Sequence, residues 1–247
     1  MRLLPVILVL GVTSVASAQP AGKFPPDSLI NTRVFPHSTP VTEVLGAMRN
    51  FTSALGVRCH FCHVGREGQP LAEFDFASDT KRNKLVARQM MRMVQDINRR
   101  LDTIPERGKP PVAASCMTCH RGVNRPVPLS QLVQEAAISA GPDSALRAYK
   151  ALRARYYGRD AYDFSEPSLS IAAFRTAREG KPEEALTLLR YNEELFPNSS
   201  AMSVFKGNIL LIKGDTAAAE AAFREAIRRD STNMEARGRL QAIGRKP

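Results

Sequence analysis

All four cysteines of this 247-residue chain fall into two pentapeptides, Cys59-His60-Phe61-Cys62-His63 and Cys116-Met117-Thr118-Cys119-His120. Each reads C-x-x-C-H. On one helical turn, thiols three positions apart stand on the same side and can each add to one of the two vinyl groups on a haem edge. The histidine that follows then projects its imidazole to the iron as an axial ligand. No cysteine is left for a disulfide. Four thiolates around one zinc ion, or a pair of redox dithiols, are the competing chemistries. The 53 residues between Cys62 and Cys116 make a long gap for one zinc site, and neither alternative requires a histidine after both pairs. The pattern predicts two covalently attached haem c groups, bound through Cys59, Cys62, Cys116 and Cys119, with His63 and His120 on the metal.

A second axial ligand separates an electron carrier from a haem that activates small molecules. Histidine is too scarce to supply two: of four, His63 and His120 are used, His60 lies inside a motif, and His37 sits in the loop Val34-Phe35-Pro36-His37-Ser38 and reads as a surface residue. Methionine is better placed. Thr39-Pro40 predicts a helix start, with Thr39 as cap and Pro40 as first helical residue, and Gly56 its end. Val41, Leu45, Met48, Phe51 and Leu55 then form one stripe at helical spacing. Ser78 or Asp79 predicts the cap of a second helix running to about Leu101, with the stripe Val86, Met90, Met93, Ile97 and Leu101. Met48 is the candidate for the first haem. Met90 and Met93 are both candidates for the second, and periodicity does not choose between them.

The segments "MRNFTSALGVRCHFCHVG", "FDFASDTKRNKLVARQMMRMVQDIN" and "CMTCHRGV", in that order, resemble the cytochrome c subunit of photosynthetic reaction centres over about residues 33 to 125. The resemblance implies a helix, a turn and the C-x-x-C-H motif for each haem, with a helix methionine as sixth ligand. Met48 matches the methionine before one motif and Met90 the methionine before the next, so the resemblance favours Met90 over Met93. That family's subunit carries four haems and often a lipidated N-terminal cysteine. This chain has two motifs, no such cysteine, and Ile104 about where the family places a histidine for another haem. It resembles one two-haem half.

After Pro126 the composition turns to Ala, Leu, Arg and Glu. A shift of 34 residues aligns "GKPEEALTLLRYNEELFPN" from Gly180 with "GDTAAAEAAFREAIRRDST" from Gly214, the tetratricopeptide period. Helix pairs are expected over 129–157, 167–195 and 199–229, with a capping helix over 233–244. The expected fold is mainly α: a dihaem c-type cytochrome domain over 19–127 followed by a tetratricopeptide-like solenoid over 128–247 that binds a protein partner.

Residues 1–18, with Arg2, the apolar run Leu3 to Val12 and Ala16-Ser17-Ala18, read as a signal peptide cleaved after Ala18, hence a periplasmic location. Net charge is +11, and residues 19–127 hold 16 Lys and Arg against 9 Asp and Glu. Export and the lack of an aromatic-interleaved basic patch argue against nucleic acid. Arg58, Arg88 and Arg121 are candidates to pair with haem propionates. The expected role is one-electron transfer between redox protein partners, a membrane complex among the candidates, with no catalytic residue. A dihaem peroxidase and a repeat adaptor with structural haem are the alternatives.

Overall fold

The computed structural model describes residues 22–106 and 108–246; the signal-peptide expectation lies outside them. The described residues are mainly α-helical, and a lone antiparallel bridge pairs Val64 with Asp75. No described helix is long and apolar enough to cross a membrane. The chain divides into two compact units. One holds the described residues up to Thr52 together with Val57–Ala114; the other holds Ser53–Gly56 and the described residues from Ser115 onward. This division falls ahead of the second motif, whereas the sequence placed its domain boundary after Val127.

In the first unit, α1 spans Val41–Leu55, its last residues belonging to the second unit, and α2 spans Arg82–Leu101. The Pro40 carbonyl accepts from the Glu43 and Val44 amides, so Pro40 flanks α1 one position later than the expected cap. The start of α2 departs further from expectation. Neither Ser78 nor Asp79 caps it; Lys81 precedes the first helical residue without a side-chain cap, because Asp79 is taken up by ion pairs with Lys84 and Arg88.

Which face of α2 is covered also differs from what periodicity suggests. Val86, Met90, Met93 and Ile97 point outward and are exposed. The inward face is Lys84, Ala87, Arg88, Met91, Val94 and Asn98, of which Lys84 is buried and the rest half-buried. Val44 is the one apolar residue of this unit that is buried among those described.

The second unit has a conventional core. After α3, Cys116–His120, come α4 over Leu129–Tyr156, α5 over Glu166–Arg178, α6 over Pro182–Leu195, α7 over Ser200–Lys213, α8 over Thr216–Arg229 and α9 over Met234–Ala242. Helix α4 is broken at Gly141, where φ is +80° and Pro142 follows. Two helices therefore occupy the region read as the first pair. Helices stand at each other position where the periodicity put them, and α5 with α6, and α7 with α8, are the most extensive neighbours. Alanine lets these backbones approach: Ala172, Ala173, Ala177 and Ala185 are buried with Leu188 and Leu189 in one cluster, and Ala219, Ala222 and Ala226 with Phe223 in the next. All five tyrosines lie here. Tyr149 is fully buried, edge-on to Phe164 and Tyr191 at 5.8 Å each, and Tyr156 meets Tyr162 at 5.3 Å.

Candidate haem site

The first motif follows directly from the end of α1. Gly56, at φ +64°, takes the left-handed conformation that favours glycine, and three residues later Cys59–Phe61 forms a single 3-10 turn. The Cys62 and His63 amides both donate to the Cys59 carbonyl, at 3.2 and 3.0 Å. The start of α2 and the residue before it clasp this turn: the Lys81 ammonium donates to the His60 carbonyl, and Asn83 Nδ2 donates to the Phe61 carbonyl at 3.1 Å.

His63 packs against an aromatic group supplied by Phe74-Asp75-Phe76. Its ring meets Phe76 edge-on at 4.9 Å, and Phe76 also contacts Phe74 and Phe24 at 5.5 and 5.6 Å. The segment is held in place by the Asp75 amide, which donates to the Val64 carbonyl at 2.9 Å. The Phe74 ring also rests on Gly65, where a Cβ would lie 2.6 Å from it. His63 Nδ1 is buried without a hydrogen-bond partner. Burial, reinforced by the Lys84 charge and only partly opposed by the Phe76 carbonyl, pushes the imidazole pKa down to about 4. The ring is therefore neutral near neutral pH and keeps a lone pair for a metal.

Behind the Phe76 segment two largely buried cations share one partly exposed carboxylate. Lys84 Nζ donates to the carbonyls of Phe76, Ala77 and Ser78 at 2.9, 3.0 and 2.8 Å and lies 3.1 Å from an Asp79 carboxylate oxygen. Arg88 binds the other Asp79 oxygen and the Asn31 carbonyl, both at 2.9 Å. These guanidinium and ammonium contacts, the Arg88 bond first, hold the Asp79 carboxyl well below the usual carboxylate range.

The second motif is a true α-helical turn. The Ser115 amide donates to Thr118 Oγ1 at 2.9 Å at its start, and its entry is set by Asn98 of α2. Asn98 pairs with Ala114 twice, Nδ2 to the carbonyl at 2.9 Å and the Ala114 amide to Oδ1 at 2.7 Å. The exit is left-handed at Arg121 (φ +49°) and Gly122 (φ +89°). This turn brings His120 Nδ1 to 2.8 Å from the Val123 carbonyl. A carbonyl only accepts, so Nδ1 carries the proton and Nε2 the lone pair, the tautomer that a metal-ligating histidine needs.

Cys59, Cys62 and Cys116 are half-buried and Cys119 is exposed. Burial pushes the Cys62 and Cys116 thiols up, away from the depressed values of redox thiols. Among the described residues no three His, Cys, Asp or Glu side chains gather as around a shared metal ion. Met48 is half-buried on α1; Met90 and Met93 lie on the outward stripe of α2, 37% and 45% exposed.

Of the basic residues assigned to propionates, Arg88 is instead committed to Asp79 and Asn31. Arg58 is exposed and forms a loose pair with Glu67 at 3.7 Å, and Arg121 is exposed at the helix exit. His37 Nδ1 lies 3.1 Å from Thr32 Oγ1. Lys81, Asn83, Lys84 and Asn98 were not singled out by sequence. A signal existed for two of them: Lys84, Met91 and Asn98 recur at intervals of seven, so they share one helix face.

Two comparisons bear on this arrangement. A family model described as the photosynthetic reaction centre cytochrome C subunit matches residues 67–151, which include α2, the second motif and much of α4 but begin after His63. The photosynthetic reaction center cytochrome c subunit of Thermochromatium tepidum is 34% identical over 99 residues, covering 36% of this chain. The chain spans 23% of the length of that relative. Over these stretches the chain is similar to a c-type cytochrome family.

Proposed function

We propose that this chain is an exported member of the reaction-centre cytochrome c family. It carries two covalent haem c groups and passes single electrons between protein partners. The observation that carries the reading is the state of the first unit. A stripe of four large apolar side chains on α2, Val86, Met90, Met93 and Ile97, faces outward, while a single apolar residue, Val44, is buried in that unit among those described. Soluble proteins rarely leave a contiguous apolar face uncovered unless something binds it, and so small a core needs another source of apolar contact. A large flat porphyrin supplies that contact.

When bound, the haems supply one-electron iron chemistry; the chain does the rest. Cys59 and Cys62, and Cys116 and Cys119, tether one haem each. His63 offers a neutral imidazole backed by Phe76, and His120 offers Nε2 with its proton held at Nδ1 by Val123. Met48 and Met90 are the second axial ligands, thioethers that favour ferrous iron and so a comparatively high potential. The repeat-like helices of the second unit, a tetratricopeptide-like module in this reading, bind a protein partner. The location is periplasmic, with electron donor and acceptor that include a membrane complex.

The test is a haem count by mass and pyridine haemochrome on protein matured in a host that attaches c-type haem, with the ferric methionine-to-iron absorbance and carbon monoxide binding followed on the same samples. Two low-spin haems that refuse carbon monoxide, with the methionine band halved by Met48→Ala and by Met90→Ala in turn, are expected. A five-coordinate haem that binds carbon monoxide overturns the carrier reading in favour of an enzyme.

A further inference from the structure

The two motifs are built from unlike surroundings. The His63 ring packs on Phe76, whose carbonyl accepts from Lys84, the one charged residue that is buried among those described. Lys84, Lys81 and Arg88 make three cations against two carboxylates among the residues that clasp the first motif, Asp79, which pairs with Lys84 and Arg88, and Asp75, which accepts from the Ala77 and Ser78 amides at 3.0 and 2.9 Å. Lys84 is locked by three carbonyls on Phe76-Ala77-Ser78, and Phe76 is the residue whose ring meets His63. The cation is thereby fixed next to the imidazole and shielded from water, where charges act more strongly. At the second motif no charged group is buried among those described. His120 instead donates from Nδ1 to the Val123 carbonyl at 2.8 Å, whereas His63 Nδ1 has no partner.

Both differences act in one direction. A fixed cation disfavours the extra positive charge of ferric iron. A hydrogen bond from Nδ1 to a carbonyl makes the imidazole a stronger electron donor and favours ferric iron. We propose that Lys84 is a potential-setting residue, which makes the haem at Cys59–His63 more readily reduced than the haem at Cys116–His120. One electron shared by the pair therefore leaves the second iron ferric and the first ferrous, with no atom or proton exchanged. The first motif is the electron-holding site, and the second is the one that gives its electron up first. This assignment rests on the two-haem reading above.

The experiment is a spectroelectrochemical titration of the two-haem protein, with haem counted on every sample. The wild type is expected to show two resolved one-electron waves. Lys84→Met should lower the upper wave by at least a tenfold change in the ferric-to-ferrous equilibrium, about 59 mV for one electron, and leave the lower wave in place. Asp79→Asn removes a negative charge with little change of shape and should raise the same wave. It carries the test by itself if Lys84→Met fails to fold. Coincident wild-type waves, or a lower wave that responds to Lys84 or Asp79, overturn the assignment. Fewer than two covalent haems in the wild type would instead sink the functional reading beneath it.

Discussion

Gly56, at the end of α1, and Gly122, two residues beyond His120, meet so closely that a Cβ on Gly56 would lie 2.1 Å from the Gly122 carbonyl oxygen. The Gly122 amide donates to the Ala54 carbonyl at 2.8 Å. The chain leading into the first motif and the chain leaving the second are therefore pinned to each other. The turn that carries the Val123 carbonyl to His120 starts from that pin.

Gly56→Ala is expected to cost at least about 1 kcal/mol from its left-handed φ alone, with the backbone clash in addition. Gly46→Ala, inside α1 with open space around it, should instead stabilise by about 0.5–1 kcal/mol. Denaturant midpoints of the two variants check the contrast. Equal effects would mean that the Gly56 contact is not made.

Asn98 is half-buried, and its amide satisfies both backbone groups of Ala114. Asn98→Ala leaves them unpaired, at a cost of about 1–3 kcal/mol. Hydrogen exchange at the Ala114 amide should quicken selectively. Unchanged protection there would show that Asn98 does not hold the entry to the second motif.

Gly207 of α7 lies under the Phe223 ring of α8, where a Cβ would sit 2.4 Å from ring carbons. Gly207→Ala is expected to destabilise the second unit by about 1–3 kcal/mol, and the smaller side chain in Gly207→Ala/Phe223→Leu should recover part of the loss. A double-mutant cycle from thermal melts reads the coupling, and strict additivity would refute the contact.

Glu225 accepts from Arg228 and Arg229, which together hold its pKa down to about 2. Arg229 also donates to the Pro197 and Ser199 carbonyls ahead of α7. A depressed folded-state pKa means that this stabilisation is complete above the ordinary value near 4.5 and is lost as pH falls from there towards 2. Because the pair is exposed, the effect is small and weakened by salt. Acid titration of stability for wild type and Glu225→Gln should show a shallower loss in the variant over that window.

The helices of the second unit could be read from sequence because their signals are local: Pro182 at the start of α6, Asp215 and Asn233 accepting from amides of α8 and α9, Gly214 closing α7. The length of α2 was readable for the same reason. Its orientation was not. Periodicity marks where the apolar residues stand, but the face turned inward is decided by what covers it, and here that is a loop whose carbonyls at Phe76, Ala77 and Ser78 need a donor. Lys84 meets that need, so a charged residue is buried and Met90 is left exposed. Asp79 likewise looked like a cap, since a helix start and an ion-pair partner call for the same side chain. The histidines and cysteines were legible as a pattern, whereas the Val123 carbonyl that sets the His120 proton has no sequence signature, being a backbone atom.

The grouping of Tyr149, Tyr156, Tyr157, Tyr162 and Tyr191, in a chain without tryptophan, gives the protein an optical asymmetry. Tyrosine emission and the tyrosine band of the near-ultraviolet dichroism arise from one stretch of the helical array, and the residues up to Ala114 contribute none of either. Loss of structure in that array can be followed in the tyrosine window with no tyrosine signal from the first unit. The unfolding of the second unit is then open to measurement by itself, with no label added.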